Sequence, residues 1–211
     1  MAALTVRLLG KEARSLVAQQ VARIEERTSA EVVVTVRRHA DPYPEVALRV
    51  ACAFAIVAFA VYVWAPITFY DDMGFAAVFL AFVAGLLFTP GFAKRYLVSA
   101  QRLDLQTARA ARAAFYDQGV GETVDRTGLL LYIAVEEQRA EVVADAGLHI
   151  GARGAEWQAA IRQVRESIKK DDLQPFSDAL ARLGDVLAVI CPLREGDRNE
   201  LPDEVDHVDA S

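Results

Sequence analysis

The sequence predicts an α/β fold in which a small mixed sheet is covered by helices and interrupted by a two-helix transmembrane hairpin. Of 211 residues, 54% are hydrophobic and 25% are charged, which fits neither an ordinary soluble domain nor a chain made only of membrane helices. The apolar residues are concentrated in 46–93, where the only charged residues are Arg49, Asp71 and Asp72. One strand pattern precedes this segment and two follow it. Because these strands cannot bury their faces alone, we expect them to join in one sheet.

The residues before the apolar segment predict a helix followed by a strand. Apolar side chains recur there at helical spacing, at Ala13, Val17, Val21 and Ile24. After Thr28 and Ser29 the chain continues as AEVVVTVRR, a β-branched run that is typical of a buried strand. This run is therefore expected to be the first strand of the sheet.

Two apolar runs, 46–65 and 74–93, are each long enough to cross a bilayer as a helix. At 1.5 Å per residue each would measure about 30 Å, the thickness of the hydrocarbon core. The alternative is a pair of helices buried inside a soluble protein. It is disfavoured because neither run has a polar face.

The charges that flank these runs predict their orientation. The segment between them, 66–73, contains no Lys or Arg. The cationic residues lie on the other side, at Arg37, Arg38, Arg49, Lys94, Arg95 and Arg102. By the positive-inside rule both outer ends are cytoplasmic, and we expect a two-span protein of the cell (inner) membrane whose termini and soluble domain are all cytoplasmic.

The residues after the apolar segment predict a helix, a strand pair and two further helices. An Ala- and Arg-rich helix is expected over 96–116, followed by strands over 128–135 and 139–146. The short connection 136–138 allows only an antiparallel hairpin. The last two helices carry apolar side chains at steps of three and four, at Trp157, Ile161, Val164 and Ile168, then at Leu173, Phe176, Leu180, Leu183, Leu187 and Ile190.

Three regions follow from these patterns. Residues 1–45 and 94–193 are expected to form one discontinuous cytoplasmic α/β domain, 46–93 the membrane hairpin, and 194–211 an acidic tail that is disordered beyond Leu201. The tail holds two Arg against seven Asp and Glu, and so supplies −5 of the net charge of −6. The rest of the chain is nearly neutral, so no basic field favours nucleic acid as a partner.

Three blocks of the sequence resemble the TPM domain family. They are RTSAEVVVTV, then ARAAFYDQGVGETVDRTGLLLYIAVEEQRAEVVADAGL, and the tail motif DRNELPDEV. They are most similar to the family's branch of predicted bacterial membrane proteins with a transmembrane pair inserted after the first strand. The resemblance implies an α/β sandwich with a small central sheet.

The resemblance also implies several kinds of function. Chloroplast relatives are linked to photosystem repair and described as acid phosphatases, and one animal relative is a receptor accessory protein. Bacterial members often occur beside LemA-like membrane proteins, which the resemblance therefore suggests as partners. In the better-studied relatives a signal takes the domain into the lumen or periplasm, whereas here we expect it in the cytoplasm.

Three carboxylates are candidates for a metal or catalytic site. If the first two strands are parallel, Glu31 and Asp125 lie near the starting edge of the sheet, and the third strand returns Asp145 to the same edge. Converging carboxylates suit Mg²⁺ or Ca²⁺, which could polarise a phosphoryl oxygen. The alternative is a set of solvated carboxylates at strand ends and turns.

Four arginines, Arg109, Arg112, Arg126 and Arg139, could hold a phosphate, although such residues usually lie on solvated helix faces. No nucleophile and base can be paired from the sequence. We therefore expect a non-catalytic, membrane-anchored interaction or assembly module that forms a homo-oligomer or a complex with other membrane proteins. A weak metal-assisted phosphatase that acts on phosphomonoesters through Glu31, Asp125 and Asp145 is the alternative.

Overall fold

A computed structural model describes residues 10–64, 71–89, 93–170, 172–194 and 206–207. The chain divides into two compact units. The first, which we call the α/β unit, comprises 1–41 and 103–211, and the second, the hairpin unit, comprises 42–102.

The described residues form helices and strands in the following chain order. They are α1 (Lys11–Glu25), β1 (Glu31–Arg37), α2 (Pro44–Trp64), α3 (Asp71–Leu87), α4 (Ala93–Leu97), α5 (Ala100–Asp117), β2 (Gly128–Ala134), β3 (Arg139–Ala144), α6 (Gly154–Ser167), α7 (Leu173–Ile190) and the two-residue β4 (Asp206–His207). Short 3-10 turns at Val120–Glu122, Ala146–Leu148 and Ile150–Arg153 join some of them. The predicted α/β class with a small mixed sheet is confirmed.

The sheet of the α/β unit has the strand order β3-β2-β1-β4. Strand β1 runs parallel to β2, with Glu31 opposite Gly128 and Arg37 opposite Ala134. Strand β2 then pairs with β3 in antiparallel register, with Leu129 opposite Ala144. The predicted parallel pairing of β1 with β2 and the predicted antiparallel hairpin of β2 and β3 are therefore both present.

Helices cover both faces of this sheet. On one face, alternate residues of β1 and β2 pack against α1, α6 and α7, among them Val34, Leu131 and Ile133. On the other face, Leu130 and Tyr132 pack against side chains of α5. Each of the leucines and isoleucines of β2 is fully buried, and burial of such a side chain is worth about 1.5–3 kcal/mol. This double cover explains why β1 and β2 read as continuous apolar runs.

The helix ends follow from local sequence. Asp172 caps α7 by accepting a hydrogen bond from the backbone N–H of Gln174, at 3.1 Å. Pro175 lies in the first turn of α7, where its missing N–H costs nothing, and Pro192 follows the helix closely. The apolar stripe predicted for α1 is buried as expected, at Ala13, Val17, Val21 and Ile24.

In the hairpin unit α2 and α3 pack closely together. A Cβ atom added to Gly85 of α3 would lie 2.7 Å from the Cα of Ala51 of α2, so glycine is the residue that permits this approach. Large apolar side chains on both helices remain exposed, including Phe54, Ile56, Val57, Phe59, Trp64, Phe75, Phe79 and Leu87. Among the described residues α2 alone is long and apolar enough to cross a membrane, and the apolar part of α3, Met73–Leu87, is shorter. The second span therefore stays a prediction.

Three features differ from the predicted elements. Helix α3 ends at Leu87 instead of continuing to Ala93, because Pro90 disfavours helical geometry in the residue before it and cannot donate a backbone hydrogen bond. The helix predicted over 96–116 is divided into α4 and α5 at Val98 and Ser99, and serine favours the position before a helix.

The third difference lies in the acidic tail, which was expected to be disordered. Asp206 and His207 form a short parallel strand beside Thr35 and Val36 of β1. The outer edge of β1 offers unpaired backbone groups, and such an edge attracts an added strand. The remainder of the tail beyond Arg194, including the motif RNELPD, lies outside the described residues.

Burial makes the stability of the α/β unit sensitive to alkaline pH through Tyr132. Burial raises the pKa of this phenol to about 12. The phenol's contribution to stability is therefore complete below about pH 10, the unfolded-state pKa, and is lost as the pH rises through about 12. We expect Tyr132→Phe to remove this part of the alkaline loss of unfolding free energy, measured by urea titration of the detergent-solubilised chain. Tyr116→Phe, at an exposed phenol, is the matched control, and an equal effect of both changes would contradict this account.

Candidate functional site

A cleft of about 390 Å³ opens in the α/β unit where the end of β3 approaches the loop before β2. Its lining combines two guanidinium groups, two carboxylates and two aromatic rings, from Arg112, Arg126, Glu122, Asp145, Phe115 and Tyr116. We call it the Arg126 cleft. Helix α5 supplies one wall, and the loop before β2 and the end of β3 supply the others.

Asp145 and Arg126 form a bidentate ion pair inside this cleft. The Nε of Arg126 donates to Oδ2 of Asp145 at 2.7 Å, and its Nη2 donates to Oδ1 at 2.9 Å. The carboxylate is buried, with 6% of its side chain exposed, while 62% of the arginine side chain is exposed. Asp145 also accepts a hydrogen bond at 2.7 Å from the backbone N–H of Ala146, where a short 3-10 turn begins. Such a planar, two-bond geometry is typical of arginine with a carboxylate or a phosphate.

The ion pair lowers the pKa of the carboxyl group and raises the pKa of the guanidinium. Hydrogen bonding to Arg126 lowers the pKa of the Asp145 carboxyl, although burial of the carboxyl partly opposes this effect. Hydrogen bonding to Asp145 raises the pKa of the Arg126 guanidinium. Both groups therefore stay charged throughout the physiological range, and neither is poised to transfer a proton.

Backbone contacts hold Arg126 in an unusual conformation. Its φ is 57°, in the left-handed region that non-glycine residues rarely adopt. Its N–H donates to the carbonyl of Thr123 at 3.1 Å, and its own carbonyl accepts from the N–H of Gly147 at 2.9 Å. A Cβ atom on Gly147 would lie 2.1 Å from the carbonyl oxygen of Asp125, so only glycine fits there. Residues in such rarely populated backbone conformations cluster at functional sites.

The α5 wall presents an aromatic ring and a cation to solvent. The ring of Tyr116 is 79% exposed and meets the buried ring of Phe115 edge-on, with 5.7 Å between ring centroids. Arg112 lies one turn earlier on the same helix and is exposed. Among the described residues its guanidinium forms no hydrogen bond or ion pair. The cleft therefore offers an available cation beside an available aromatic surface.

The three carboxylates predicted as a metal site come from the same edge of the sheet, but each has different contacts. Glu31 is buried opposite Gly128, and the N–H of Asp145 donates to the carbonyl of the same Gly128 at 2.9 Å. Asp125 is exposed and pairs with Arg194, at 2.5 Å between Oδ2 and Nη1. Within the part of the chain that the structure describes, no group of three or more His, Cys, Asp or Glu residues is placed to hold a metal ion.

The four arginines considered for phosphate binding are distributed over the α/β unit. Arg112 and Arg126 line the same cleft. Arg139 instead bonds Asp104 at 2.6 Å in a separate cleft of about 310 Å³, and Arg109 bonds Gln106 on its own helix. Tyr116 was not among the site residues predicted from the sequence. The sequence does contain an indication of this residue, because Tyr116 is a large aromatic side chain outside the apolar stripe of an amphipathic helix.

Comparisons with known proteins identify a similar fold. No protein-family model matches the chain, and no curated protein matches it. A solved structure, the NMR structure of the BA42 protein from the psychrophilic bacterium Bizionia argentinensis, is similar with a TM-score of 0.55 and 15% sequence identity. The match covers 93% of this chain and 92% of the BA42 chain. At this identity the likeness concerns the fold alone.

The first prediction for this site concerns Gly147, which holds the loop that carries Arg126. Gly147→Ala is expected to lower the unfolding free energy by about 1–3 kcal/mol, because the new methyl group collides with a backbone carbonyl. Gly151→Ala is the matched control, since a Cβ atom there meets nothing within 4 Å. Urea titration of both variants in detergent measures the difference. A control as destabilised as Gly147→Ala would show that the collision is not the cause.

The second prediction concerns the charge of Asp145. Because its folded-state pKa is lowered, the ion pair stabilises the fold above the unfolded-state pKa of about 3.9, and this contribution is lost as the pH falls through the folded-state pKa. Asp145→Asn should therefore be less stable than the parent at neutral pH, and the difference should shrink below about pH 4. Unfolding titrations at several pH values measure this. The same change at exposed Asp117 should leave no comparable pH dependence, and a difference constant with pH would contradict the assignment.

Proposed function

We propose that this protein is a membrane-anchored, non-catalytic interaction module of the TPM type. The hairpin unit anchors it in the bilayer with two helices, and the α/β unit binds another protein at the cytoplasmic face. The resemblance of three sequence blocks to the TPM family supports the family assignment, and the α/β fold is compatible with it.

The exposed apolar surface of the hairpin unit carries this proposal. Only 11% of the most apolar 18-residue stretch of α2 is buried. Ile56 of α2 is 67% exposed, and Phe75 of α3 is 85% exposed. Soluble proteins rarely expose contiguous apolar patches of this extent, so the surface requires a lipid or protein cover. Helix α2 has 21 residues, about 30 Å, which matches the hydrocarbon thickness. Helix α3 is shorter, and a short span is tolerated by local thinning of the bilayer or by snorkelling of flanking side chains.

The Arg126 cleft supports a role in protein recognition. Tyrosine and arginine dominate the energetics of protein interfaces, and here Tyr116, Arg112 and Arg126 lie together on one accessible surface. The carboxylates Glu122 and Asp145 in the same lining make the site mixed in charge, which suits a peptide surface better than a highly charged small molecule. The partner is a protein held at the same membrane, either a second copy of this chain or another membrane protein such as a LemA-like protein.

No specific observation favours the alternative of a metal-assisted phosphatase. Among the carboxylates that it requires, Asp145 and Asp125 each form an ion pair with an arginine. The lining of the Arg126 cleft likewise includes no Ser, Cys or His side chain that could act as a nucleophile.

Site-directed labelling tests the membrane anchor and its orientation. In a Cys52→Ser background, cysteines at Arg23 and Lys169 should react with an impermeant maleimide in sealed inverted vesicles and be protected in intact cells. A cysteine at Met73, which is exposed in the first turn of α3, should show the opposite pattern. Alkaline carbonate should leave the parent protein in the membrane. Release by carbonate, or labelling of positions 23 and 169 from opposite sides, would overturn the anchor.

Photo-crosslinking tests the recognition surface. A benzophenone amino acid at position 116 is expected to give protein adducts in intact membranes, whereas the same residue at exposed Arg162 on α6 should not. Mass spectrometry of the adduct separates a second copy of this chain from a different protein. Arg112→Glu should reduce the adduct yield about tenfold, the effect of losing roughly 1.4 kcal/mol of binding free energy. Equal yields at both positions would show that the cleft is not the docking surface.

A further inference from the structure

A group of cationic side chains lies at one end of the two apolar helices, within the hairpin unit. We call Arg49, Arg95 and Arg102, together with Glu45, the juxtamembrane arginine cluster. Arg49 lies near the start of α2, Arg95 lies in the short helix α4, and Arg102 lies in the first turn of α5. The three guanidinium groups thus come from three different helices.

Protein contacts fix two of these arginines in place. The Nη1 of Arg49 donates to the carbonyl of Leu97 at 2.8 Å, so its guanidinium lies against the end of the helix that carries Arg95. The Nη2 of Arg102 lies 2.7 Å from Oε1 of Glu45, on the first turn of α2. These contacts connect the start of α2 with α4 and α5 and leave little freedom to the charged groups.

The ring of Tyr43 organises the same region. It is 1% exposed and has a φ of 49°, a costly conformation for a bulky residue. The Arg102 guanidinium lies 6.0 Å from the ring centroid, and the Lys94 ammonium lies 5.7 Å from it. Two cations therefore share one aromatic ring through cation–π contacts.

The cluster contains more positive than negative charge. It contains three arginines and one carboxylate, Glu45, which pairs with Arg102. The Nε of Arg95 is buried and has no hydrogen-bond partner among the described residues. A guanidinium nitrogen without an acceptor is costly to bury, and among the described residues no carboxylate pairs with Arg95, so an anion would complement its charge.

We propose that the juxtamembrane arginine cluster binds the headgroup of an anionic phospholipid such as phosphatidylglycerol. The inference rests on the proposed membrane anchor and names the lipid that the anchor recognises. Arginine forks bind phosphate oxygens in a bidentate manner, and three of them on separate elements can surround one phosphodiester. Basic pockets beside membrane helices bind anionic headgroups in this way.

The charge of the cluster selects among lipids. A zwitterionic headgroup brings its own cation, which the excess arginines repel, whereas a glycerol headgroup adds no positive charge. An acyl chain attached to the phosphate also gains contact with the exposed apolar side chains of α2, such as Leu48. Free inorganic phosphate gains no such contact and should bind much more weakly.

Thermal unfolding of the full chain in detergent tests this proposal. The unfolding midpoint is followed by circular dichroism with dioleoylphosphatidylglycerol, with dioleoylphosphatidylcholine and with inorganic phosphate at equal concentrations. Phosphatidylglycerol is expected to raise the midpoint by about 2–4 °C, because it binds the folded state only. An equal rise with phosphatidylcholine, or with inorganic phosphate, would overturn the lipid assignment.

Paired variants identify the residues that bind the headgroup. Arg49→Gln with Arg95→Gln should remove most of the phosphatidylglycerol shift. The control pair, Arg162→Gln on α6 with Lys169→Gln just after it, changes two exposed cations and should preserve the shift. The lipid-free midpoint and spectrum verify that each variant folds, and the single change Arg95→Gln replaces the pair if the double variant unfolds. An unchanged shift in the Arg49 and Arg95 variants, or an equal loss in the control pair, would refute the assignment.

The membrane anchor can be judged separately by carbonate extraction. A parent protein that stays in the membrane but shows no preference for phosphatidylglycerol retains the anchor and loses this inference. Extraction of the parent protein removes the anchor itself, whatever the lipid titration gives.

Discussion

The seven residues of β1 lie beside the seven residues of β2 in parallel, although the hairpin unit and α5 separate these strands along the chain. This pairing is the interaction on which the α/β unit depends. Parallel strands need a long crossover, and here the crossover includes the apolar helices. Once the strands pair, their side chains complete two cores, one on each face of the sheet. The interruption of the domain is therefore compatible with a continuous hydrophobic interior.

The same pairing determines where polar groups collect. It brings the start of β1, the loop before β2 and the end of β3 to one edge, where Glu31 and Asp145 lie on either side of Gly128. Two carboxylates at this edge have arginine partners, because Asp145 pairs with Arg126 and Asp125 pairs with Arg194. The loop at Gly147 then fixes Arg126 beside α5, which leaves Arg112 and Tyr116 at the surface.

Much of the fold could be predicted from the sequence, because periodicity reports burial directly. The helical spacing of apolar residues from Ala13 to Ile24 was enough to predict α1, and the short apolar runs were enough to predict β1 and β2. The break at Val98 and Ser99 could not be read from an Ala-rich pattern that remains helical on both sides. The short strand Asp206–His207 was missed because two polar residues carry no strand signal, and only the open edge of β1 determines their place.

The candidate site was less accessible to sequence reasoning. Topology placed Glu31, Asp125 and Asp145 near one edge, but the identity of each charge partner depends on side-chain directions that spacing does not give. Arg126 illustrates this, since its left-handed backbone directs it to Asp145 and no sequence pattern announces that conformation. Tyr116 and the cluster around Tyr43 depend in the same way on which neighbouring element lies within reach.

The chain order of the sheet has a consequence for biosynthesis. When β1 leaves the ribosome its parallel neighbour has not been made, and the chain between Arg37 and Gly128 must be translated first. At ordinary elongation rates this interval lasts on the order of ten seconds. During it, a nascent EVVVTVR segment with two open edges needs shielding, by helix α1 or by a chaperone.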